Sequence, residues 1–486
     1  MDRRKLITGS GAAALSAIAL RAFGDTYAAP PFGPQVTLVS DPRDVKLSLN
    51  AAERPFALPA FEGRVLPLWT FAEQYAPVYR MRLGDRLITS LENNLPRADE
   101  HTSIHWHGLR LPNDQDGVPY ISQPPVNPGE SWDYAFTPPD AGTFFFHTHC
   151  NTVEQLGRRM AGVLIVEGDE EEPFDADEVL LLKDWRIDEK REFLPLFTSE
   201  GASRRGSFGA VRSCNGVTNP TIQLPSSADV RLRLINVDNT RVMMLGITGA
   251  EAFVIAIDGI ACPPFPLETW VVGPAMRFDI LIRSPQNGGT AQLVDYFAPK
   301  PIPIATFVGI GASRKNYPFR PRALREGNIP EPDLANARKM KFSFSVAASS
   351  QSIQTSPETE FDRLLLDELC LSFETNWAIN KTVWPGRDHS ELPPPIAVLE
   401  RGQTYQFELR NQSSAHHPIH IHGHTFRVLK SNKRKRLPDH HADTILLAPK
   451  ERVTVAFVAD NPGDWMFHCH LIEHQETGMM SYLRVS

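Results

Sequence analysis

The chain has 486 residues, of which 42% are hydrophobic and 22% are charged, and its formal net charge at pH 7 is −7. This length is too great for one β-sandwich and is enough for about three units of ordinary domain size. The acidic balance argues against nucleic acid as a partner. Beyond Ala29 no apolar run approaches the roughly 20 residues of a membrane-spanning helix, so we expect no membrane span in the mature protein.

The first residues predict an export signal. Arg3 and Arg4 precede an apolar Ala/Leu/Ile run from Gly11 to Leu20, and Ala28-Ala29 supplies the small side chains of a cleavage site. Because the run is too short to span a bilayer, we interpret residues 1–29 as a twin-arginine signal and not as an anchor. This interpretation predicts a periplasmic or secreted protein that the twin-arginine machinery exports already folded.

The rest of the chain predicts an all-β protein. Short strand-like runs are separated by many turn residues (31 Gly and 41 Pro), and long amphipathic helical patterns are nearly absent. A first unit is predicted over residues 34–168. Its strands include Val78–Leu83, before a Gly-Asp turn, and Gly142–His147.

Two further units follow. The second is predicted over residues 178–311, where Val230–Asn236 alternates in strand fashion over most of its length. A stretch rich in Arg, Pro and Asn, residues 312–340, is interpreted as a linker. The third unit covers residues 341–486, and its segment Tyr405–Asn411 resembles the strand-and-Asn pattern of the earlier units, which suggests a weak internal repeat.

Ten of the 16 histidines fall in four short motifs, and no histidine occurs between His149 and His389. In a His-x-His pair on a strand, both imidazoles point to the same face. Scattered surface histidines would not cluster in this way, so the pattern predicts one metal assembly built from both ends of the chain. The motif histidines are His105 and His107; His147 and His149; His417, His420 and His422; and His468, His470 and His474.

A cysteine is embedded in the last motif. Cys469 lies between His468 and His470, so on a strand its thiolate points away from the two imidazoles. Cys469, His474, one more histidine and a weak Met479 make up the soft ligand set of a mononuclear blue copper site. A zinc site explains less, because zinc needs about three or four protein ligands and this set is much larger. The residues therefore predict copper.

In this order and at the two chain ends, the motifs resemble those of the multicopper oxidase family, the laccase-like enzymes. The resemblance implies three cupredoxin-like Greek-key β-sandwich domains, with a copper cluster between the first and third and a structural role for the second. It implies four copper ions in all: a type 1 copper on His417, Cys469, His474 and axial Met479; a type 2 copper on His105 and His420; and a type 3 pair on His107, His147, His149, His422, His468 and His470.

The resemblance also implies roles for acidic residues in proton delivery. It places Asp116 where the family keeps a carboxylate beside the type 2 copper, although Asp-Gly is also an ordinary turn signal. Bacterial members usually carry an acid directly after the last histidine, whereas this chain has Gln475, which does not titrate. Either Glu473 or Glu476 relays protons instead, or dioxygen is reduced more slowly.

Four cysteines remain beside Cys469, and they allow three pairings into disulfides in an exported protein. They are Cys150, Cys214, Cys262 and Cys370. Because Cys150 directly follows His149, the alternative is a buried thiol beside the cluster.

The leading functional hypothesis is a laccase-like oxidase that takes single electrons from a phenol or an aromatic amine near His474 and reduces dioxygen to water. The alternative is a metallo-oxidase for Cu(I), Fe(II) or Mn(II) in copper tolerance. Cuprous oxidases of this family often carry a methionine-rich insert, and the ten methionines here form no such cluster, which favours organic substrates. A non-enzymatic periplasmic relative would have lost ligands that this chain retains, and a nitrite reductase would have fewer His-x-His pairs.

Overall fold

The computed structural model describes residues 44–168, 172–325, 327–347, 376–384 and 392–486. The predicted export signal and Cys370 lie outside these ranges. Within them the protein has 30 β-strands and three short α-helices, so the predicted all-β class is confirmed. None of the helices in these ranges is long and apolar enough to cross a membrane.

The first sandwich consists of two four-stranded sheets. Its strands are β1 (Asp44–Phe56), β2 (Leu66–Thr70), β3 (Val78–Arg82), β4 (Arg86–Asn94), β5 (His105–His107), β6 (Ser131–Phe136), β7 (Gly142–His147) and β8 (Ala161–Glu167). The strand orders are β2-β1-β4-β6 and β3-β8-β7-β5. Helix α1 (Thr152–Gly157) lies between β7 and β8, and 3-10 turns form at Pro59–Phe61 and Asn113–Gln115.

The second sandwich consists of a six-stranded and a five-stranded sheet. Its strands are β9 (Ala176–Trp185), β10 (Val211–Cys214), β11 (Thr221–Pro225), β12 (Asp229–Asn236), β13 (Met243–Thr248), β14 (Ala252–Ile257), β15 (Ile260–Pro266), β16 (Trp270–Val272), β17 (Arg277–Arg283), β18 (Thr290–Asp295) and β19 (Ile302–Ile310). The orders are β10-β9-β12-β17-β14-β15 and β11-β19-β18-β13-β16. Helix α2 (Ser199–Ser203) lies between β9 and β10.

The third sandwich repeats this plan. Its strands are β20 (Arg338–Val346), β21 (Trp377–Ile379), β22 (Ala397–Leu399), β23 (Thr404–Asn411), β24 (His417–Ile421), β25 (Phe426–Ser431), β26 (His441–Ala442), β27 (Thr444–Leu447), β28 (Arg452–Val458), β29 (Gly463–Cys469) and β30 (Met480–Val485). The orders are β21-β20-β23-β28-β25-β26 and β22-β30-β29-β24-β27. Helix α3 (Ile472–Glu476) connects β29 to β30.

Burial along the strands explains why they form. β4 alternates buried and more exposed side chains, as a strand with one face on the core should. β7 is buried at every position, because one face packs in its own sandwich and the other faces the rest of the molecule. Strands far apart in sequence pair in parallel, such as β1 with β4 and β20 with β23. These crossovers between the two sheets of each unit are those of cupredoxin-like Greek-key sandwiches, as predicted.

The cysteines in the described ranges are unpaired. Cys150, Cys214, Cys262 and Cys469 are all free and buried. Burial raises the pKa of Cys150, Cys214 and Cys262 to about 12, so these thiols are protonated and unreactive at neutral pH. Cys150 is therefore a buried thiol, which was the alternative to a disulfide in the sequence prediction.

Candidate metal centres

Two pairs of strands, one from each end of the chain, carry most of the motif histidines. In the first sandwich β5 pairs antiparallel with β7 and sets His105 opposite His147. In the third sandwich β24 pairs antiparallel with β29 and sets His420 opposite His468. Directly opposed residues on paired strands point to the same face of a sheet. Each pair of strands therefore presents its imidazoles on one face, and the two faces meet.

Eight histidines form this cluster: His105, His107, His147, His149, His420, His422, His468 and His470. All but His149 are at most 1% exposed, and His149 is partly buried.

The nitrogens of the cluster fall into three sets. The Nε2 atoms of His422 and His468 are 3.0 Å apart, and His149 belongs to the same compact group. The Nε2 atoms of His147 and His470 are 3.2 Å apart.

His107 lies next to the second of these sets, because its ring centroid is 5.0 Å from that of His470. His105 and His420 provide the remaining set, and their ligand atoms lie within 4.8 Å of one another and of His422. The cluster can therefore hold several metal ions side by side.

Hydrogen bonds on the far side of three of the rings decide which nitrogen faces the cluster. Nδ1 of His105 donates to the Asp116 carbonyl oxygen at 2.9 Å, and Nδ1 of His420 donates to that of Asp443 at 2.9 Å. With the proton on Nδ1, the lone pair on Nε2 points inwards. His107 is reversed, because its Nε2 lies 3.1 Å from the Asp443 carboxylate and its Nδ1 faces the cluster.

Several inward nitrogens are buried without a hydrogen-bond partner among the residues that the structure describes. These are Nε2 of His105, His149 and His420 and Nδ1 of His107. Buried polar atoms in proteins are nearly always satisfied, so four such nitrogens in one cluster need an explanation. Metal ions that accept their lone pairs provide it, and the donor set fits copper.

The protonation of these rings also suits metal binding. Burial, together with the neighbouring imidazoles, lowers the pKa of His107, His147, His149 and His422 well below the ordinary value, and the same holds for His468 and His470. Neutral imidazole is the form that binds a metal, so these six rings need no proton loss before they bind one.

A second site lies on the other side of β29. The Cys469 sulfur is 3.6 Å from Nδ1 of His417 and 3.8 Å from Nδ1 of His474, and the two Nδ1 atoms are 3.1 Å apart. Nε2 of His417 bonds to the Ser413 hydroxyl at 2.7 Å, and Nε2 of His474 donates to the Arg204 carbonyl oxygen at 3.2 Å. Both rings thus direct Nδ1 at the sulfur.

The electrostatics of this second site call for a cation. Burial raises the pKa of the Cys469 thiol far above its ordinary value, and burial lowers the pKa of His474 to about 3. With both histidines neutral, no charge from either ring stabilises a thiolate. A bound metal cation would do so, because a coordinating thiol loses its proton outright. The site fits the predicted thiolate metal centre.

The choice between the two neighbouring methionines depends on register. The Cys469 amide donates to the Met479 carbonyl at 3.0 Å, and Met479 is fully buried in the same hydrophobic cluster as Cys469. Met480 lies opposite His468 on the paired strand and packs with Trp384 in a separate cluster. Met479 therefore lies on the thiolate side and Met480 on the other.

The three acidic residues singled out from the sequence differ in what they contact. The Asp116 carboxylate lies 2.9 Å from Nδ1 of His422 and 3.3 Å from Nδ1 of His105. Glu473 instead accepts hydrogen bonds from residues 198–207, and Glu476 accepts one from the Val153 amide in α1 at 3.0 Å. Of these three carboxylates, Asp116 is the one that contacts cluster histidines among the residues that the structure describes.

Asp443 is a site residue that the sequence prediction missed. Its carboxylate contacts His107, and its carbonyl accepts from His420. Burial opposes its ionisation, but the Arg277 guanidinium at 2.7 Å holds the pKa of this carboxyl below its usual range. The one signal of this role in the sequence is the position of Asp443. It directly precedes β27, whose residues are all buried, and a solvent-facing acid is not expected there.

A cavity of about 800 Å³ opens beside the second site. Trp377 forms part of its wall and packs on His474 and His417, with ring centroids 4.3 and 5.0 Å apart. Another part of the cavity wall is the segment that contains Arg204, whose carbonyl oxygen contacts His474. Its charged lining residues are Arg186, Glu200, Arg204 and Arg205, and its apolar rim includes Phe208 and Val346. The cavity therefore lies next to the cysteine site, and Trp377 separates it from the buried rings of His417 and His474.

Three segments of the chain match family models described as multicopper oxidase: residues 60–171, 177–292 and 372–486. Multicopper oxidase MmcO of Mycobacterium tuberculosis is 26% identical over 98% of this chain and 92% of its own length. The iron transport multicopper oxidase FET3 of Gibberella zeae is 26% identical over 83% of this chain and 70% of its own, and a laccase of Cryphonectria parasitica is 28% identical over 83% and 75%.

A solved structure with higher identity is that of a multi-copper oxidase from Pseudomonas thermotolerans. It is 38% identical to this chain, covers 91% of it and is itself covered completely, with a TM-score of 0.79.

Proposed function

Because the chain belongs to the multicopper oxidase family, a family of oxidoreductases, we propose that it is a laccase-like enzyme. It would take single electrons from phenols or aromatic amines and deliver four of them to dioxygen, which leaves as water. The observation that carries this proposal is the position of Cys469. Its sulfur faces two histidines beside an open cavity, while its sequence neighbours His468 and His470 face the eight-histidine cluster.

The proposal assigns four copper ions. His417, Cys469 and His474 would hold the type 1 ion, with Met479 as a further weak ligand, and His105 and His420 would hold the type 2 ion. The type 3 pair would be held by His107, His147, His149, His422, His468 and His470. The three sets of inward nitrogens support this division. Copper would supply one-electron acceptance at the first site and dioxygen reduction at the cluster.

Electrons reach the cluster through the chain itself. From the Cys469 sulfur, only a few covalent bonds lead along the backbone to the imidazoles of His468 and His470. A hydrogen bond from Nδ1 of His468 to the Cys469 carbonyl at 3.1 Å provides a second connection. These residues lie in the closely paired sheet of β24, β29 and β30, which keeps the separation of the two sites constant.

Protons must also reach the cluster, since dioxygen reduction to water consumes four. We assign Asp116 to this role, because it contacts His105 and His422 directly. Glu476 is the better second candidate, since it lies against α1, which follows His149 in the chain. Glu473 has a structural task, because its carboxylate binds the segment beside the cavity.

The cavity favours organic substrates over metal cations. Among the residues that the structure describes, three arginines and a single carboxylate line it, so the field of these residues repels cations and attracts electron-rich or anionic aromatics. The alternative, a metallo-oxidase, is supported by the similarity to iron transport multicopper oxidases. It would require carboxylate ligands at the electron-entry edge, where Glu200 is the one carboxylate in the described part of the lining.

We further propose the domain limits 34–168, 178–311 and 341–486, with residues 312–340 as linker, and export of the folded protein by way of residues 1–29. Replacement of both Arg3 and Arg4 by lysine should retain the protein in the cytoplasm if the twin-arginine route is used. Normal export of that variant would contradict this route.

The substrate proposal is tested by dioxygen uptake. The copper-loaded protein is given a phenol, an aromatic amine, Cu(I), Fe(II) and Mn(II) in parallel, with copper-loaded Cys469→Ser as the control for chemistry of stray copper. We expect kcat/KM to be highest for an organic substrate and uptake to vanish in the control. A higher kcat/KM for a metal ion would establish the metallo-oxidase instead.

A further inference from the structure

We propose that the second sandwich, although it has no histidine, fixes two cluster ligands through a buried ion pair between Arg277 and Asp443. Both are positioning residues for His107 and His420. The inference rests on the proposed copper sites. It adds that the cluster also needs this ion pair, whose two residues lie outside the histidine motifs.

The pair itself is bidentate and buried. Nη1 of Arg277 lies 3.0 Å from one Asp443 carboxylate oxygen and Nη2 lies 2.7 Å from the other. Arg277 is 1% exposed and Asp443 is 2% exposed. A two-point contact of this kind fixes the plane of the carboxylate as well as its position, which a single ammonium could not do.

Arg277 is held by all three sandwiches at once. Besides Asp443 of the third, it donates to the Asp258 carbonyl of the second at 2.8 Å and to the Thr143 carbonyl of the first at 3.3 Å. Thr143 lies on β7, the strand that ends at His147. The guanidinium thus connects the cluster-bearing strands of the first and third sandwiches.

Asp443 orients two imidazoles that carry their protons on different nitrogens, Nε2 in His107 and Nδ1 in His420. Its side chain lies 3.1 Å from Nε2 of His107, so the His107 proton stays on Nε2 and Nδ1 faces the cluster. Its backbone carbonyl accepts from Nδ1 of His420 at 2.9 Å, so Nε2 of His420 faces the cluster. The Asp258 carboxylate holds this backbone in turn, accepting from the amides of Asp443 and Thr444 at 3.3 and 3.1 Å.

The pair is tightly packed against the neighbouring backbone. Gly108, directly after His107, has a φ of +87°, and a Cβ there would lie 2.6 Å from the Asp443 carboxylate and would also collide with Arg277. The pair therefore packs against the bare backbone next to a ligand. Loss of Arg277 would leave a buried carboxylate without its counter-charge and without the two contacts that fix its plane, so its position against His107 would no longer be held.

The cysteine site does not depend on this pair. Its histidines are oriented by Ser413 and by the Arg204 carbonyl, which lie on other segments. A positioning role therefore predicts a selective defect in the cluster, whereas a general loss of stability would affect both kinds of site.

The test compares Arg277→Leu, Arg277→Lys and Asp443→Asn with Arg231→Leu, which removes another buried arginine from the same sheet. Arg231 pairs with Asp279 at 2.5 Å, and within the described ranges its side-chain hydrogen bonds and ion pairs reach no cluster histidine. For each purified holoprotein we would measure copper per chain, the electron paramagnetic resonance signal of type 2 copper, the blue absorbance and the thermal midpoint.

In Arg277→Leu and Asp443→Asn we expect copper per chain to fall from four towards one and the type 2 signal to be lost, with the blue band retained. Arg277→Lys should recover part of the cluster copper, and Arg231→Leu should keep all of it despite a lower midpoint. If Arg277→Leu does not fold, the nearly isosteric Asp443→Asn decides.

Full copper with a wild-type type 2 signal in Asp443→Asn would overturn the inference, as would parallel loss of cluster copper in Arg231→Leu. A wild-type protein without blue copper would instead overturn the proposed function on which the inference rests.

Discussion

Replacing Glu473 by leucine should loosen the segment that covers the cysteine site. The Glu473 carboxylate is fully buried and accepts hydrogen bonds from the Thr198 amide at 3.2 Å, the Ser207 hydroxyl at 2.6 Å and the Ser207 amide. It is thus the anchor at both ends of residues 198–207. The same segment carries the Arg204 carbonyl that orients His474.

The size of the effect follows from the donors that lose their acceptor. The Ser207 hydroxyl keeps the Thr198 hydroxyl as a partner at 2.6 Å, but the amides of Thr198 and Ser207 are left unpaired. Each buried unpaired donor costs about 1–3 kcal/mol. The free energy of local opening should therefore fall by about 2–6 kcal/mol, which accelerates amide exchange by about 30-fold or more.

Hydrogen exchange measured on peptides that cover residues 198–208 is the assay. Glu476→Leu is the matched control, since it removes a carboxylate from the same helix whose hydrogen bond goes to α1. We expect fast exchange in Glu473→Leu and wild-type exchange in the control. Equal exchange in the wild type and Glu473→Leu would refute the anchoring role and return Glu473 to the candidates for proton relay.

Three further predictions concern the ligands and the other acids. Met479→Leu conserves volume at a cost below about 1.5 kcal/mol, so the protein should stay blue. A redox titration of Met479→Leu should show a higher potential, by about 59 mV for each tenfold loss of preference for Cu(II). A shift that occurs only in Met480→Leu would disprove the assignment of Met479. Asp116→Asn should slow reoxidation by dioxygen by about a hundredfold in stopped-flow experiments while reduction of the blue site stays normal; unchanged reoxidation would reduce Asp116 to a turn residue. Burial raises the pKa of Glu476 to about 8, so the folded protein keeps a proton that the unfolded chain loses near pH 4.5. The stability of the copper-free protein should therefore fall by up to about 1.4 kcal/mol per pH unit between these values, and Glu476→Gln should flatten that slope in urea unfolding experiments; an identical slope would contradict the assigned pKa.

The histidine cluster could be predicted because its information is local. A strand has a period of two, so His105 and His107, or His468 and His470, must share a face wherever the strand lies. The same rule placed Cys469 on the opposite face. The strand patterns around these motifs were clear for the same reason, since β7 and β29 bury nearly every side chain.

The supporting residues could not be predicted because their partners are distant. Arg277 and Asp443 are 166 positions apart, and each looks ordinary in its own segment. The choice of Met479 over Met480 needed the register between β29 and β30. Glu473 illustrates the reverse problem, because its place beside His474 suggested proton transfer while its contacts are with a segment of the second sandwich.

The central claim is that Cys469 joins a thiolate copper site to a three-copper cluster. The most direct measurement is the copper content of the loaded protein together with its visible spectrum, for the wild type and Cys469→Ser. The account predicts four copper ions per chain and an intense blue band in the wild type, and loss of the band and of dioxygen uptake in Cys469→Ser with the cluster copper retained. A fully loaded wild-type protein that is colourless would contradict it.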